Sequence, residues 1–151
     1  MKKDFSKSGR VLAFDPGTTT GWSLFDDGVL VSGGKMTKKK IMAGDVPDFG
    51  KIDLLLIEMP KIYPAGRQKK PPNDIIQTAI LAGHLSGLYR KTSLLVEFVL
   101  PEDWKGSIPK EIHQLRIWRA LSTEEKSRLL KDHNTVDAAG IGLWRIRRLR
   151  R

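Results

Sequence analysis

Three acidic residues stand where a solvated charge is out of place. Asp15 ends the apolar run Val11-Leu12-Ala13-Phe14, Glu58 ends Leu54–Ile57, and Asp137 lies inside Val136–Leu143, otherwise apolar or small. A buried carboxylate is costly unless it is paired, hydrogen-bonded or bound to a metal. If the two strands are sheet neighbours and a helix crosses them, the three form a cluster of hard oxygen ligands. Such a cluster suits Mg²⁺, which keeps waters and shares substrate phosphate oxygens, and on a basic chain it favours a two-metal phosphodiester site. Each residue also has a plainer reading. Asp15 before Pro16-Gly17 is a good turn former, Glu58 is free to leave its strand into solvent, and Asp137 is three residues from Asn134, a capping pair's spacing.

The composition fits an anionic partner. The chain has 151 residues, and 27 Lys+Arg against 17 Asp+Glu leave a net charge of +10. Phosphate backbones attract clustered Lys and Arg, although a merely solubilising surface has the same composition. The clusters are Lys38-Lys39-Lys40 and Arg67-Lys69-Lys70, both expected in loops, and the tail from Arg145 to Arg151. Without cysteine, a disulfide scaffold and a Cys-type zinc site are excluded. No unbroken apolar run exceeds four residues, far short of the ~20 needed for a membrane span, and the N-terminus lacks a signal-peptide core. The expectation is a cytoplasmic protein of a bacterial or phage-infected cell, with no membrane contact.

The elements that must position these groups follow from pattern. Residues 1–10 read as a basic flexible lead and 11–151 as one domain with a basic C-terminal tail. Val11–Phe14 is a short buried strand and Gly21–Phe25 a second. Asp26-Asp27-Gly28 is a hairpin signal, and Val29–Val31 returns as a third strand, broken by Ser32-Gly33-Gly34. Asp53–Glu58 is a fourth strand, buried on both faces. Pro60–Pro72 is a Pro/Gly/Lys-rich loop starting at Glu58, of a length that is usually functional or mobile. It carries Lys61, Tyr63, Arg67, Lys69 and Lys70 as candidate DNA contacts, with Tyr63 as a stacking group.

Asn73 is the expected N-cap of a long helix with Ile75, Ile76, Ala79, Ile80, Leu85 and Leu88 near one face. Gly83 and Gly87 mark close packing on the sheet or on a second helix. Leu94–Leu100 is a fifth strand, Pro109 opens a helix, Ser122–Glu125 is a capping box, and a last helix starts near Asn134. Three sequential antiparallel strands followed by alternating β and α predict an α/β fold, a mixed five-stranded sheet flanked by helices.

Four ordered segments resemble the RuvC-type Holliday junction resolvases of the RNase H-like superfamily. Leu12–Trp22, with Asp15-Pro16-Gly17, resembles the family's first motif, and Leu56-Ile57-Glu58 its second acidic motif. Pro101–Lys110 is similar to the Pro-x-x-x-Lys segment, in the Trp-Lys-Gly form of phage-type members, and Asp137-Ala138-Ala139 resembles the C-terminal Asp-Ala motif. Asn73–Tyr89 is similar to the family's long middle helix, so the resemblance spans Val11 to about Trp144.

The resemblance implies an RNase H-like fold, a homodimer, and Mg²⁺-dependent paired nicking of four-way or branched DNA, with Mn²⁺ able to substitute. By position it implies Asp15, Glu58 and Asp137 as metal ligands, Lys105 at the active-site phosphate, and Lys110 on DNA. One metal would help form a hydroxide and another would steady the leaving 3′ oxygen, with a Lys ammonium stabilising charge on phosphorus. The chain departs from the pattern at the usual fourth ligand, three residues before the C-terminal Asp, where it has Asn134. His133 is the favoured fourth group, as water activator or ligand, with Asn134 as N-cap or auxiliary ligand and Asp132 one residue further back. His84 and His113 read as structural or surface residues.

Paired cuts call for two copies related by a two-fold axis. The candidate contact is the Asn73–Arg90 helix, through Ile76, Ile80, Gly83, His84, Gly87 and Tyr89. Two other readings compete. One is an RNA-processing nuclease of the YqgF type, which shares the acidic order but not the Trp-Lys-Gly segment. The other is a non-catalytic DNA-junction-binding module, which explains the charge but not the three carboxylates.

Overall fold

A computed structural model describes residues 4, 5 and 7–150. The strands are β1 (Arg10–Asp15), β2 (Thr19–Asp26), β3 (Val29–Thr37), β4 (Ile52–Glu58) and β5 (Ser93–Val99). The helices are α1 (Lys38–Met42), α2 (Pro72–Tyr89), α3 (Pro101–Trp104), α4 (Lys110–Ala120), α5 (Thr123–Ser127) and α6 (His133–Arg145). The strands form one mixed sheet in the order β3-β2-β1-β4-β5. β1–β2 and β2–β3 are antiparallel, while β1–β4 and β4–β5 are parallel. This is the expected architecture, with the three antiparallel strands first.

The period of two along a strand divides the core into two layers. Val11 and Ala13 of β1 and Leu54 and Leu56 of β4 pack with Trp104, Ile117 and the apolar face of α6. Leu12, Phe14, Leu55 and Ile57 pack on the other face with Leu81, Ala82 and Leu85 of α2. By the same alternation Asp15 and Glu58 fall on the α6 side of the sheet. The β2–β3 hairpin turns at Asp27 and Gly28, both with positive φ, as a two-residue turn matched to strand twist requires. Among the described residues no helix is long and apolar enough to cross a membrane.

Several elements differ from the sequence reading. β3 continues through Ser32-Gly33-Gly34 to Thr37, because the Leu129 side chain covers Gly33 and the Trp22 ring covers Gly34, where a Cβ would clash. Lys38-Lys39-Lys40 is not a loop but the start of α1, capped by the Thr37 hydroxyl. Asn73 is not the N-cap of α2; Pro71 holds that place, and Asn73 is already helical. Ile76 and Ile80 do not join the sheet-facing stripe and are 54% and 50% exposed. Gly83 and Gly87 face open space rather than the sheet. His84 and Tyr89, expected on the outer contact, turn inward: His84 Nε2 is 3.1 Å from the Ile41 carbonyl, and the Tyr89 hydroxyl donates to the Pro47 carbonyl at 2.9 Å.

The two ends of the chain are anchored where they are described. Of the lead read as flexible, residues 1–3 and 6 lie outside the described residues, whereas Phe5 is buried in the α6 layer. In the tail, Ile146 and Leu149 enter that same layer, Arg145 pairs with Glu97, and Arg148 pairs with Glu125; Arg151 lies outside the described residues.

Candidate functional site

The register brings the first two carboxylates together. Phe14 of β1 pairs in parallel with Ile57 of β4, so the next residue of each strand, Asp15 and Glu58, emerges beside the other at the strand ends. The third arrives on α6, which lies across β1 and β2 on the same face. Its close approach rests on Gly21, paired with Asp15 in the β1–β2 register. A Cβ at Gly21 would stand 1.9 Å from the Asn134 carbonyl oxygen. Ser23 completes the seat by donating its hydroxyl to the Ala138 carbonyl at 2.8 Å. α6 starts at Asp132, whose Oδ1 accepts from the Asn134 backbone N–H at 2.9 Å and whose Oδ2 is 3.2 Å from Lys35 Nζ. Asp132, not Asn134, is therefore the N-cap.

Twelve of the candidate residues line one cleft of about 1250 Å³, while Asp132, the further candidate before His133, caps α6 and is not among the lining residues. Asp15, Glu58 and Asp137 share the cleft with Lys105, His133 and Asn134; Lys61, Tyr63, Arg67, Lys69, Lys70 and Lys110 form its basic rim. The 60–72 segment has internal order: the Tyr63 backbone N–H donates to Gln68 Oε1 at 2.8 Å, and the Arg67 N–H to the Pro64 carbonyl at 3.0 Å. Lys61 is paired with Glu102 of α3 and lies 5.6 Å from the Tyr63 ring centre.

The electrostatics are those of crowded negative charge. Asp15 keeps part of its surface open to the cleft, but protein encloses its carboxyl. Burial first, then the Glu58 and Asp137 charges, push its pKa well above the usual range, against opposition from Lys105 and Lys70. Burial also raises Glu58, against Lys105 and the Trp104 N–H. Burial alone would lower Lys105; Glu58, Asp15 and Asp137 together outweigh it and raise its pKa, which keeps the ammonium charged. Its Nζ lies 3.4 Å from Glu58.

Among the described residues no three His, Asp or Glu side chains converge closely enough to hold a metal ion as they stand. The donor set nevertheless fits one. Asp15, Glu58 and Asp137 are oxygen donors facing one cleft, and Asp15 feels both of the other charges. A divalent cation among them would relieve that repulsion and suits such hard ligands. Asn134 donates its side-chain nitrogen to Asp132, which leaves its oxygen as the available ligand atom.

Three participants escaped the sequence reading. Trp104 Nε1–H donates to Glu58 Oε2 at 2.5 Å. Gln114 Nε2 is 3.3 Å from Asp137 Oδ1 and 3.3 Å from the His133 carbonyl. His113, read as structural or surface, is 4% exposed and lines the cleft; burial lowers its pKa, and neither ring nitrogen has a hydrogen-bond partner. No local sequence signal marks the Trp104 and Gln114 contacts, because each joins α3 or α4 to a distant element. The reading of His84 as structural agrees with its bond to α1.

No protein-family model and no curated protein matches the chain. Solved structures do match. Thermus thermophilus RuvC in complex with Holliday junction substrate is 19% identical with a TM-score of 0.63, over 89% of this chain and 90% of that one. A second Thermus thermophilus RuvC structure gives 17% and 0.60, over 89% and 91%. The yeast mitochondrial Holliday junction resolvase Ydc2 gives 12% and 0.56, over 95% and 82%. The chain has the RNase H-like fold of RuvC-type resolvases, as its motifs led us to expect.

Proposed function

We propose that this chain is a divalent-metal-dependent endonuclease that resolves four-way or other branched DNA junctions. The observation that carries the reading is the meeting of Asp15, Glu58 and Asp137, from two adjacent strand ends and a crossing helix, in one cleft with a basic rim. A DNA-binding surface gains nothing from three carboxylates facing phosphate unless a cation intervenes. The solved structures similar in fold include a RuvC with its junction substrate, which supports branched DNA as the partner.

Asp15, Glu58 and Asp137 would hold Mg²⁺, or Mn²⁺ in its place, with Asn134 as an auxiliary oxygen ligand. Bound there, two such ions supply the Lewis acidity that lowers the pKa of an attacking water and steadies the leaving 3′ oxygen. The chain's own residues do the rest. Lys105, kept charged by its carboxylate neighbours, stabilises the charge that builds on phosphorus. His133, exposed at the first position of α6, orients or deprotonates water. Arg67, Lys69, Lys70 and Lys110 bind backbone phosphates, Lys61 does so on release from Glu102, and Tyr63 stacks on a base at the open junction centre.

A homodimer through the Asn73–Arg90 helix would place two such clefts for paired nicks. Ile76, Ile80, Gly83 and Gly87 support it, because all four are exposed and recur at the three- and four-residue spacing of a helix–helix seam. The competing reading is a non-catalytic junction-binding module, favoured by the net charge of +10 and the basic rim of the cleft, which binding alone explains. A substrate panel separates the two. With Mg²⁺ the protein should cut a synthetic four-way DNA junction and spare a linear duplex of the same arm sequence and an RNA hairpin. Binding of the junction without cutting it would favour the module, and cutting of the RNA alone would favour an RNA nuclease.

A further inference from the structure

We infer that Trp104 is a positioning residue for Glu58 and fixes the spacing between the two elements that carry Glu58 and Asp137; the inference rests on the metal-nuclease reading of this cleft. Trp104 is fully buried. Its indole N–H donates to Glu58 Oε2 at 2.5 Å, so one edge of the ring fixes the carboxylate at the end of β4. Its opposite edge rests on α6: a Cβ at Gly140 would stand 2.6 Å from Trp104 Cζ3, and Gly140 lies one helical turn after Asp137. The Lys105 ammonium lies 5.0 Å from the ring centre, and the His113 ring 4.8 Å. One rigid aromatic group thus spans from β4 to α6, with the site's lysine over it.

An indole suits this task. It donates one hydrogen bond and accepts none, so it orients the carboxylate without adding a charge that competes with a cation. Its breadth keeps α6 at a set distance, and the Gly140 gap lets the ring reach the Asp137 helix. Hydrogen bonds that orient a ligating carboxylate typically govern metal affinity or activity by about 10–100-fold.

Two measurements test this on the full-length protein. Trp104→Phe keeps most of the apolar ring and removes the N–H. It should raise the Mg²⁺ concentration for half-maximal junction cleavage by about 10–100-fold, more than it changes the KM for junction. Unchanged Mg²⁺ dependence in a folded variant overturns the role. The second readout needs no activity. Among the indole N–H signals of the 15N-labelled protein, which has four tryptophans, Trp104's should move on Glu58→Gln. It should also move on adding Mg²⁺ alone to the wild type. A Trp104 signal indifferent to both overturns the inference even if Trp104→Phe does not fold. If the signal responds to both but the wild type cuts no branched DNA, Trp104 stays placed on Glu58 and the nuclease reading falls instead.

Discussion

Gly21→Ala is the sharpest perturbation of how the site is assembled. The added Cβ would meet the Asn134 carbonyl oxygen at 1.9 Å and its carbonyl carbon at 2.4 Å, backbone atoms that no rotamer change can move aside. To reach an ordinary contact of 3.4 Å, the first turn of α6 must retreat by about 1.5 Å, or β2 must bend by as much. Asp137 is three residues on in the same helix and moves with it, while Asp15 and Glu58 stay at their strand ends. Overpacking of this kind costs about 1–3 kcal/mol, and replacing glycine returns only about 0.4–1 kcal/mol through the unfolded chain. At about 2–4 °C per kcal/mol for a chain of this size, the melting temperature should fall by a few degrees and the protein stay folded. Catalysis should suffer more, since a misplacement of about 1 Å can cost ~100-fold in rate. The assay is single-turnover cleavage of a four-way junction at saturating Mg²⁺, with binding measured in parallel. We expect a loss of about 100-fold in rate, with junction affinity within a few-fold of wild type. Cleavage within threefold of wild type would refute the claim that Gly21 sets the position of Asp137.

Other expected outcomes follow from the same geometry. Asp15→Asn should abolish cleavage and leave junction binding, because affinity comes mainly from Lys and Arg; equal loss of both would break that division of labour. Replacing Arg67, Lys69 and Lys70 together with Ala should weaken binding and lower the slope of log K against log salt by about 0.9 for each phosphate no longer neutralised. Gly83→Leu should shift light scattering at micromolar concentration from twice the monomer mass toward the monomer, whereas a wild type already monomeric both free and on the junction would remove the paired-nicking proposal. Glu125 provides a pH test of stability. Its burial would raise its pKa, but Arg148, at 2.5 and 2.7 Å, and the Leu30 and Ser122 N–H groups lower it from 4.5 to about 2. A depressed carboxylate stabilises the fold above its unfolded pKa, so about 3 kcal/mol should be present near neutrality and lost as pH falls from about 5 to 2. Urea melts of Glu125→Gln should show a deficit of that order at pH 7 that closes toward pH 2; a deficit independent of pH would contradict it.

The parts of the site legible in the sequence are those that strand periodicity fixes. Asp15 and Glu58 follow runs whose burial on both faces requires a covered sheet, and parity along β1 and β4 then puts both on one face. Asp137 was legible from the small and apolar residues around it, which α6 needs in order to lie against the sheet at Gly21. What stayed hidden was set by packing between distant elements. The Trp104–Glu58 bond spans 46 residues and the Gln114–Asp137 contact 23, and neither leaves a local pattern. The extension of β3 through Gly33-Gly34 was hidden because two glycines read as a break until Leu129 and Trp22 cover them. α2 misled for a related reason: an unusually apolar helix, with isoleucines on its outer side as well as its inner one, gives no single stripe from which to choose the buried face.

The proposed activity is cutting of branched DNA with a metal held by the three carboxylates of this cleft. It is tested most directly by mapping single-turnover cleavage on a four-way junction labelled in turn on each strand, with Mg²⁺ and with chelator. Nicks should appear at symmetric positions on two opposing strands with Mg²⁺, and none with chelator or in Asp15→Asn. Tight, salt-sensitive binding of the junction with every strand intact in Mg²⁺ or Mn²⁺ would contradict it.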